Sequence, residues 1–201
     1  FGDSSGTVRP MTNFAWLLAK YREPLLGWLY NYTKGGETFM DVLYETRDVP
    51  KDDPFDENPV RVFRDVGTTV FKSGWDTDDF VFVMRTGPFY NHQHLDQGTF
   101  WLSDRGSLFI EERHGSTYYV KRTYQSHYIQ PICHSTILID HNEQSQRTGD
   151  PLAFAEGFED YAFLTHFLDG DSAAFSSGNI GRLYWGNVKD ITRSALYLKP
   201  R

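Results

Sequence analysis

Gly87-Pro88-Phe89-Tyr90-Asn91-His92-Gln93-His94-Leu95-Asp96-Gln97 crowds two histidines and a carboxylate into a few residues. The apolar run Phe80-Val81-Phe82-Val83-Met84 precedes it, and Thr99-Phe100-Trp101-Leu102 follows. Both runs are short and rich in β-branched and aromatic side chains, so they read as strands. The polar cluster therefore falls at a strand-to-strand junction, where a rigid scaffold commonly presents its chemistry. Residues two apart on an extended chain point the same way. An extended His92-Gln93-His94 would thus aim both imidazoles to one side, which is half of a zinc site. By itself a His-x-His pair is also what a polar surface turn contains.

Outward from this stretch, the pattern from about Val60 onward is one of short strands with turn signals between them. Strands are expected near 60–63, 69–73, 79–84, 98–103, 107–111, 117–122, 133–140, 152–156, 158–168, 172–176 and 190–198. Asp104-Arg105-Gly106 is a hairpin turn signal. Such spacing predicts a mainly β chain, an antiparallel β-sandwich or barrel. Residues 1–46 differ. Helices are expected at 13–21, at 24–32 with Pro24 in the first turn, and at 39–44. They are too apolar and too short to bury themselves alone. Residues 47–59 hold three prolines among dense charges and read as a linker. The expected organisation is a helical segment over 1–46, a linker over 47–59 and a β-sandwich domain over 60–201. The long apolar strand near the end suggests that the parent protein continues, and the start at Phe1 suggests a processed or excised beginning.

Composition narrows the classes. The 201 residues carry a formal charge of −7, which argues against nucleic acid and anionic membrane as partners. An anionic substrate stays open, because a local basic pocket can sit on an acidic protein. No apolar run is long enough to span a membrane. Cys133 is the single cysteine, so no internal disulfide forms. Asn31-Tyr32-Thr33 fits a glycosylation acceptor, relevant only in a eukaryotic secretory setting.

Two further elements bear on the double histidine. Leu108-Phe109-Ile110 runs into Glu111 and Glu112, and His134 stands near the start of Ile132 to Asp140. His94, one of Glu111 or Glu112, and His134 would make a two-histidine, one-carboxylate set suited to zinc. The plain alternatives are an exposed carboxylate at a turn and a hydrogen-bonded core histidine. Tyr118, Tyr119, Tyr124 and Tyr128 crowd the segment between them, where a cleft tyrosine could donate a proton or stack on a sugar.

Residues 60–199 resemble the β-sandwich domain of the heparinase II/III-like polysaccharide lyases. The matching pieces come in the family's order. Val66 through Asp76 resembles its entry strands. Gly87 through Gln97 resembles its G-x-x-x-x-H-x-H-x-D signature. Gly106 through Glu111 resembles a G-x-x-L-L-V-D strand, Cys133 through Asp140 an A-H-N-T-V-x-V-D strand, and Arg193 through Pro200 an R-x-x-x-x-L-K-P strand. Phe1-Gly2-Asp3-Ser4 and the helices after it look like the last turns of the family's α/α toroid.

The resemblance implies that His94, Glu111 and His134 are ligands of a structural zinc. Glu111 stands where the family has Asp, and Glu112-Arg113 replaces the usual Pro-Gly, so Glu112 is the fallback ligand. His92 would be the active-site histidine, Tyr128 the cleft tyrosine, and Asp96 would orient the loop or a histidine. The implied reaction is β-elimination on a uronic-acid polysaccharide, with other catalytic groups supplied by a helical toroid that this chain nearly lacks. The fragment alone is then expected to be inactive, and the family resemblance implies a periplasmic or secreted setting. Two rivals remain. One is a non-catalytic carbohydrate-binding or scaffolding sandwich. The other is a cupin-like metal enzyme, disfavoured because Leu95-Asp96-Gln97-Gly98 supplies no glutamate soon after the pair.

Overall fold

The computed structural model describes residues 12–34, 39–50, 52–53, 55–76, 78–88, 94–110, 124–142, 146, 162–184 and 188–200. The chain divides into a helical unit within Ser5–Glu57 and a β unit running from Asn58 to Arg201.

The helical unit contains α1 (Thr12–Tyr21), α2 (Pro24–Lys34) and α3 (Phe39–Leu43). Pro24 opens α2, where a missing N–H costs nothing. Ala15, Leu18, Tyr30 and Val49 form the buried core, with Phe14, Leu26, Met40 and Tyr44 packed on it. Val49, read from sequence as linker, is thus a core residue of this unit. Asp41 is buried and accepts a hydrogen bond from Thr46 Oγ1 at 2.6 Å. Large apolar side chains stay exposed, among them Tyr21, Tyr32, Phe39 and Val42.

In the β unit, β1 (Arg61–Phe63), β2 (Thr68–Lys72), β3 (Val81–Arg85), β4 (Phe100–Asp104) and β5 (Ser107–Ile110) form one antiparallel meander in chain order. A second antiparallel sheet holds β6 (Phe163–Asp169), β7 (Ala173–Asn179) and β8 (Thr192–Leu198). These strands are the mainly β fold that the sequence predicts. The turn Arg105-Gly106 joins β4 to β5 with both residues left-handed, at φ 49° and 68°, as a two-residue hairpin requires. The two sheets face each other across Val60, Phe71, Ala174 and Tyr197, backed by Phe80, Phe82, Phe167 and Ala195. Tyr197 stacks on Phe80 and Phe71 from the opposite sheet, at centroid distances of 5.2 and 5.8 Å. Thr69 and Ser176 share a hydrogen bond across the same interface at 2.7 Å. A second cluster of Ala162, Ile180, Leu183 and Tyr184 lies beside Ile137 and Ile139.

One expectation fails on described residues. No strand forms over 133–140. A 3₁₀ turn at Pro131–Cys133 is followed by a segment of turns and bends that joins no ladder among the described residues. Ser135 instead meets β4 through its side chain, at Phe100, beyond the described β5 pairing that ends at Leu102 with Ile110. Ser135 Oγ accepts the Phe100 N–H at 3.0 Å and donates to the Phe100 carbonyl at 2.5 Å. The alternation of Ile137 and Ile139 that suggested a strand is spent on the second core cluster. The strands expected at 117–122 and 152–156 lie outside the described residues, as does most of 158–162.

Asp169 closes the β unit. Asn58 Nδ2 donates to its Oδ2 at 2.6 Å and Lys199 Nζ lies 2.7 Å from its Oδ1. Burial alone would raise its pKa, but hydrogen bonds from Lys199 and Asn58 and the charges of Lys199 and Arg61 hold it below the ordinary 3.8. A depressed carboxylate contributes stability that is present above its unfolded pKa and lost as pH falls through the folded one. Lys199→Ala is expected to cost about 1 kcal/mol at neutral pH. Denaturant unfolding should show that difference shrinking as pH drops below the ordinary carboxylate range.

Candidate functional site

The histidine-rich stretch falls between β3 and β4, with residues 87–88 and 94–97 described. The hairpin ladder continues past the strands: Arg85 N–H donates to the Thr99 carbonyl at 3.0 Å, and Gly98 N–H to the Arg85 carbonyl at 2.7 Å. Asp96, Gln97 and Thr99 are fully buried on the return limb. Arg85 Nη1 lies 3.6 Å from Asp96 Oδ2. Gln97 Oε1 accepts the Gly87 N–H at 2.8 Å, tying the two limbs of the loop together. Asp96 is thus paired with Arg85 across the two limbs of the loop.

His94 is 1% exposed and His134 is 9% exposed. Their rings face one another with centroids 5.2 Å apart and planes at 54°. They are brought together by a crossing segment. The Leu95 N–H donates to the Ile129 carbonyl at 2.8 Å, and the chain then turns through Pro131–Cys133. That turn closes with the His134 N–H on the Pro131 carbonyl at 3.0 Å, leaving His134 extended at φ −122° and ψ 157°.

Two further residues bind the histidine segments to each other. Arg193, on β8, donates through Nη1 to the Gly98 carbonyl and to the Ser135 carbonyl, the latter at 2.7 Å. Its guanidinium also lies over the Phe100 ring at 4.9 Å. Burial lowers the Arg193 pKa, with Tyr184 acting in the opposite sense. Gln146 is 1% exposed. Its Oε1 accepts the Gln97 N–H at 3.1 Å. Its Nε2 lies within donor reach of the Gln97 carbonyl at 2.6 Å, Thr136 Oγ1 at 2.9 Å and Tyr184 Oη at 3.1 Å. Thr136 Oγ1 itself donates to the Gln97 carbonyl at 2.5 Å.

Of the residues expected at the site, His94 and His134 come together. His92, Glu111 and Glu112 lie outside the described residues. Tyr128 ends a π turn over Tyr124–Tyr128, half-buried, with the His127 ring 5.6 Å away. It directly precedes Ile129, whose carbonyl holds the His94 limb. Among the described residues no group of three His, Cys, Asp or Glu side chains is placed to hold a metal. The spacing of the two imidazoles is compatible with two ligands of one zinc. Nitrogens at ~2 Å from a tetrahedral zinc put two ring centroids ~5 Å apart, close to the spacing found here. Arg85, Gln97, Gln146, Tyr184 and Arg193 were not singled out from the sequence. Gln97 and Arg193 stood inside quoted motifs, whereas Gln146 lies in a polar stretch that carries no signal.

A mainly β unit of two antiparallel sheets, with a buried histidine pair at the root of one hairpin loop, defines the class. The profile described as Heparinase II/III-like, C-terminal matches residues 56–176, more than half of the chain. The chain belongs to that family. Its fold is similar to that of a mutant heparan sulfate lyase HepC from Pedobacter heparinus, with a TM-score of 0.69 at 19% identity. That match covers 99% of this chain and 27% of the other. The unmutated HepC gives a TM-score of 0.62 at 17% identity over 94% of this chain and 25% of that one. A structure of heparinase III gives 0.63 at 15% identity, covering 93% and 26%. The chain thus spans about a quarter of the length of these solved proteins. No curated protein sequence matches it. Among the described residues no helix is long and apolar enough to cross a membrane.

Two substitutions probe the loop. Gly98 has φ +79°, and a Cβ there would meet Ile180 Cδ1 at 2.7 Å. Gly98→Ala is expected to destabilise by about 1–3 kcal/mol. Arg85→Ala removes the cation beside a fully buried carboxylate, a loss of about 3–5 kcal/mol. Adding Asp96→Asn to Arg85→Ala should restore part of that loss, measured by denaturant unfolding of all three variants.

Proposed function

We propose that the parent of this chain is a polysaccharide lyase that cleaves a uronic-acid-containing polysaccharide of the heparan sulfate type by β-elimination. The observation that carries this reading is the buried His94–His134 pair at zinc-compatible spacing, in a chain of the heparinase II/III-like family. The heparan sulfate lyase fold of its structural neighbours agrees with it.

In this reading His94, Glu111 and His134 hold a structural zinc, with Glu112 as the substitute carboxylate. Bound there, zinc would supply a fixed cross-link between the two histidine segments. His92 stands two residues before His94, in the stretch whose described limbs Asp96, Arg85 and Gln97 tie together. The reaction needs the uronate carboxylate neutralised so that the adjacent C5 proton becomes acidic. A base takes that proton, the C4–oxygen bond breaks, a C4–C5 double bond forms, and an acid protonates the departing glycosidic oxygen. His92 and Tyr128 are the groups of this chain assigned to the proton transfers. The exposed rings of α1–α3 support a helical unit that completes a larger toroid, which supplies the rest of the cleft. Such an enzyme would work outside the cytoplasm.

Two assays test this. Purified without chelators, the chain should hold close to one zinc by elemental analysis, and His94→Ala or His134→Ala should abolish it. In the full-length protein, His92→Ala should cut the rate at which unsaturated uronate appears, followed by ultraviolet absorbance, by about a hundredfold or more. Unchanged turnover in His92→Ala would favour the binding-sandwich reading instead.

A further inference from the structure

The two imidazoles belong to segments that share no β-ladder, so something other than strand pairing sets their separation. Three or four residues past His94 and one or two past His134, the two segments are cross-braced from outside both. Arg193 Nη1 bonds the carbonyls of Gly98 and Ser135 at once. Gln146 grips Gln97 by both its N–H and its carbonyl, and reaches Thr136 Oγ1 with the same amide. One brace comes from β8 of the second sheet, the other from Gln146, which precedes β6 in the chain. Each spans the same two segments: Arg193 meets main-chain carbonyls on both, and Gln146 meets the main chain of Gln97 and the hydroxyl of Thr136.

We propose that Arg193 and Gln146 are positioning residues that set the spacing of His94 and His134, and through it the metal affinity of the site. The inference rests on the metal reading above and adds two residues that act without touching the imidazoles. Arg193 is suited to the task because its planar guanidinium presents several donors in fixed directions, whereas a lysine offers a single point charge. Gln146 is suited because a carboxamide carries donor and acceptor side by side, matching the N–H and carbonyl of one residue.

The test uses the full chain, with zinc affinity read by chelator competition and cobalt(II) substitution read by its d–d absorption. Arg193→Lys and Gln146→Met are compared with wild type, and with Lys199→Ala as a remote destabilised control. All are measured at a temperature where circular dichroism shows each variant folded, and either brace variant suffices if the other does not fold. The expected result is zinc binding weakened about tenfold to a hundredfold in each brace variant, with altered cobalt absorption. Lys199→Ala should lower the melting temperature and leave both metal readouts unchanged. Zinc affinity within twofold of wild type in a folded brace variant overturns the inference while the metal site stands. Absence of metal from wild type overturns the metal reading, and the inference falls with it.

Discussion

Buried carbonyls need donors, and here that requirement governs the centre of the β unit. The carbonyls of Gln97, Gly98 and Ser135 take their hydrogen bonds from side chains rather than from a strand ladder. Unmet, each would cost free energy comparable to a lost hydrogen bond. Thr136 and Gln146 supply donors to Gln97, and Arg193 supplies them to Gly98 and Ser135. These bonds join the backbone just past His94 to the backbone just past His134. The Arg85–Asp96 pair secures the same loop from its other side.

The sandwich supplies the rigid ground for this arrangement. Phe71, Phe80, Phe82 and Phe100 line the first sheet, and Tyr197 stacks on two of them from the second. Arg193 lies four residues before Tyr197 on the same inward face of β8, since positions two apart share a side of a strand. The aromatic stack that docks the sheets therefore also fixes where the guanidinium begins. Packing and the polar site are joined through a single strand.

Sequence patterning exposed what depends on local chemistry. Short β-branched and aromatic runs marked β1 to β5, Gly106 marked the hairpin turn, and the histidine stretch marked the loop between β3 and β4. The pairing of His94 with His134 was legible through resemblance, because no local spacing connects residues so far apart. The segment after His134 was misread. An apolar alternation is common to a ladder strand and to an irregular segment packed on one side, and here Ile137 and Ile139 pack on the second core cluster without pairing. Gln146 was invisible for a related reason. Its partners are backbone atoms of distant residues, and a glutamine in a polar run shows nothing of that.

The grip on Asp169 has a topological consequence. Asn58, where the β unit starts, and Lys199, just past its last strand, both bind the same carboxylate. Asn58 and Lys199 are therefore within a few ångströms of a shared point. A short connecting peptide from Pro200 back to Asn58 would close the segment 58–200 into a ring while keeping both contacts to Asp169. Arg105, 88% exposed at the tip of the β4–β5 turn, offers a place to cut that ring. The β unit is thus suited to circular permutation, with its order of strands in space independent of where the polypeptide begins.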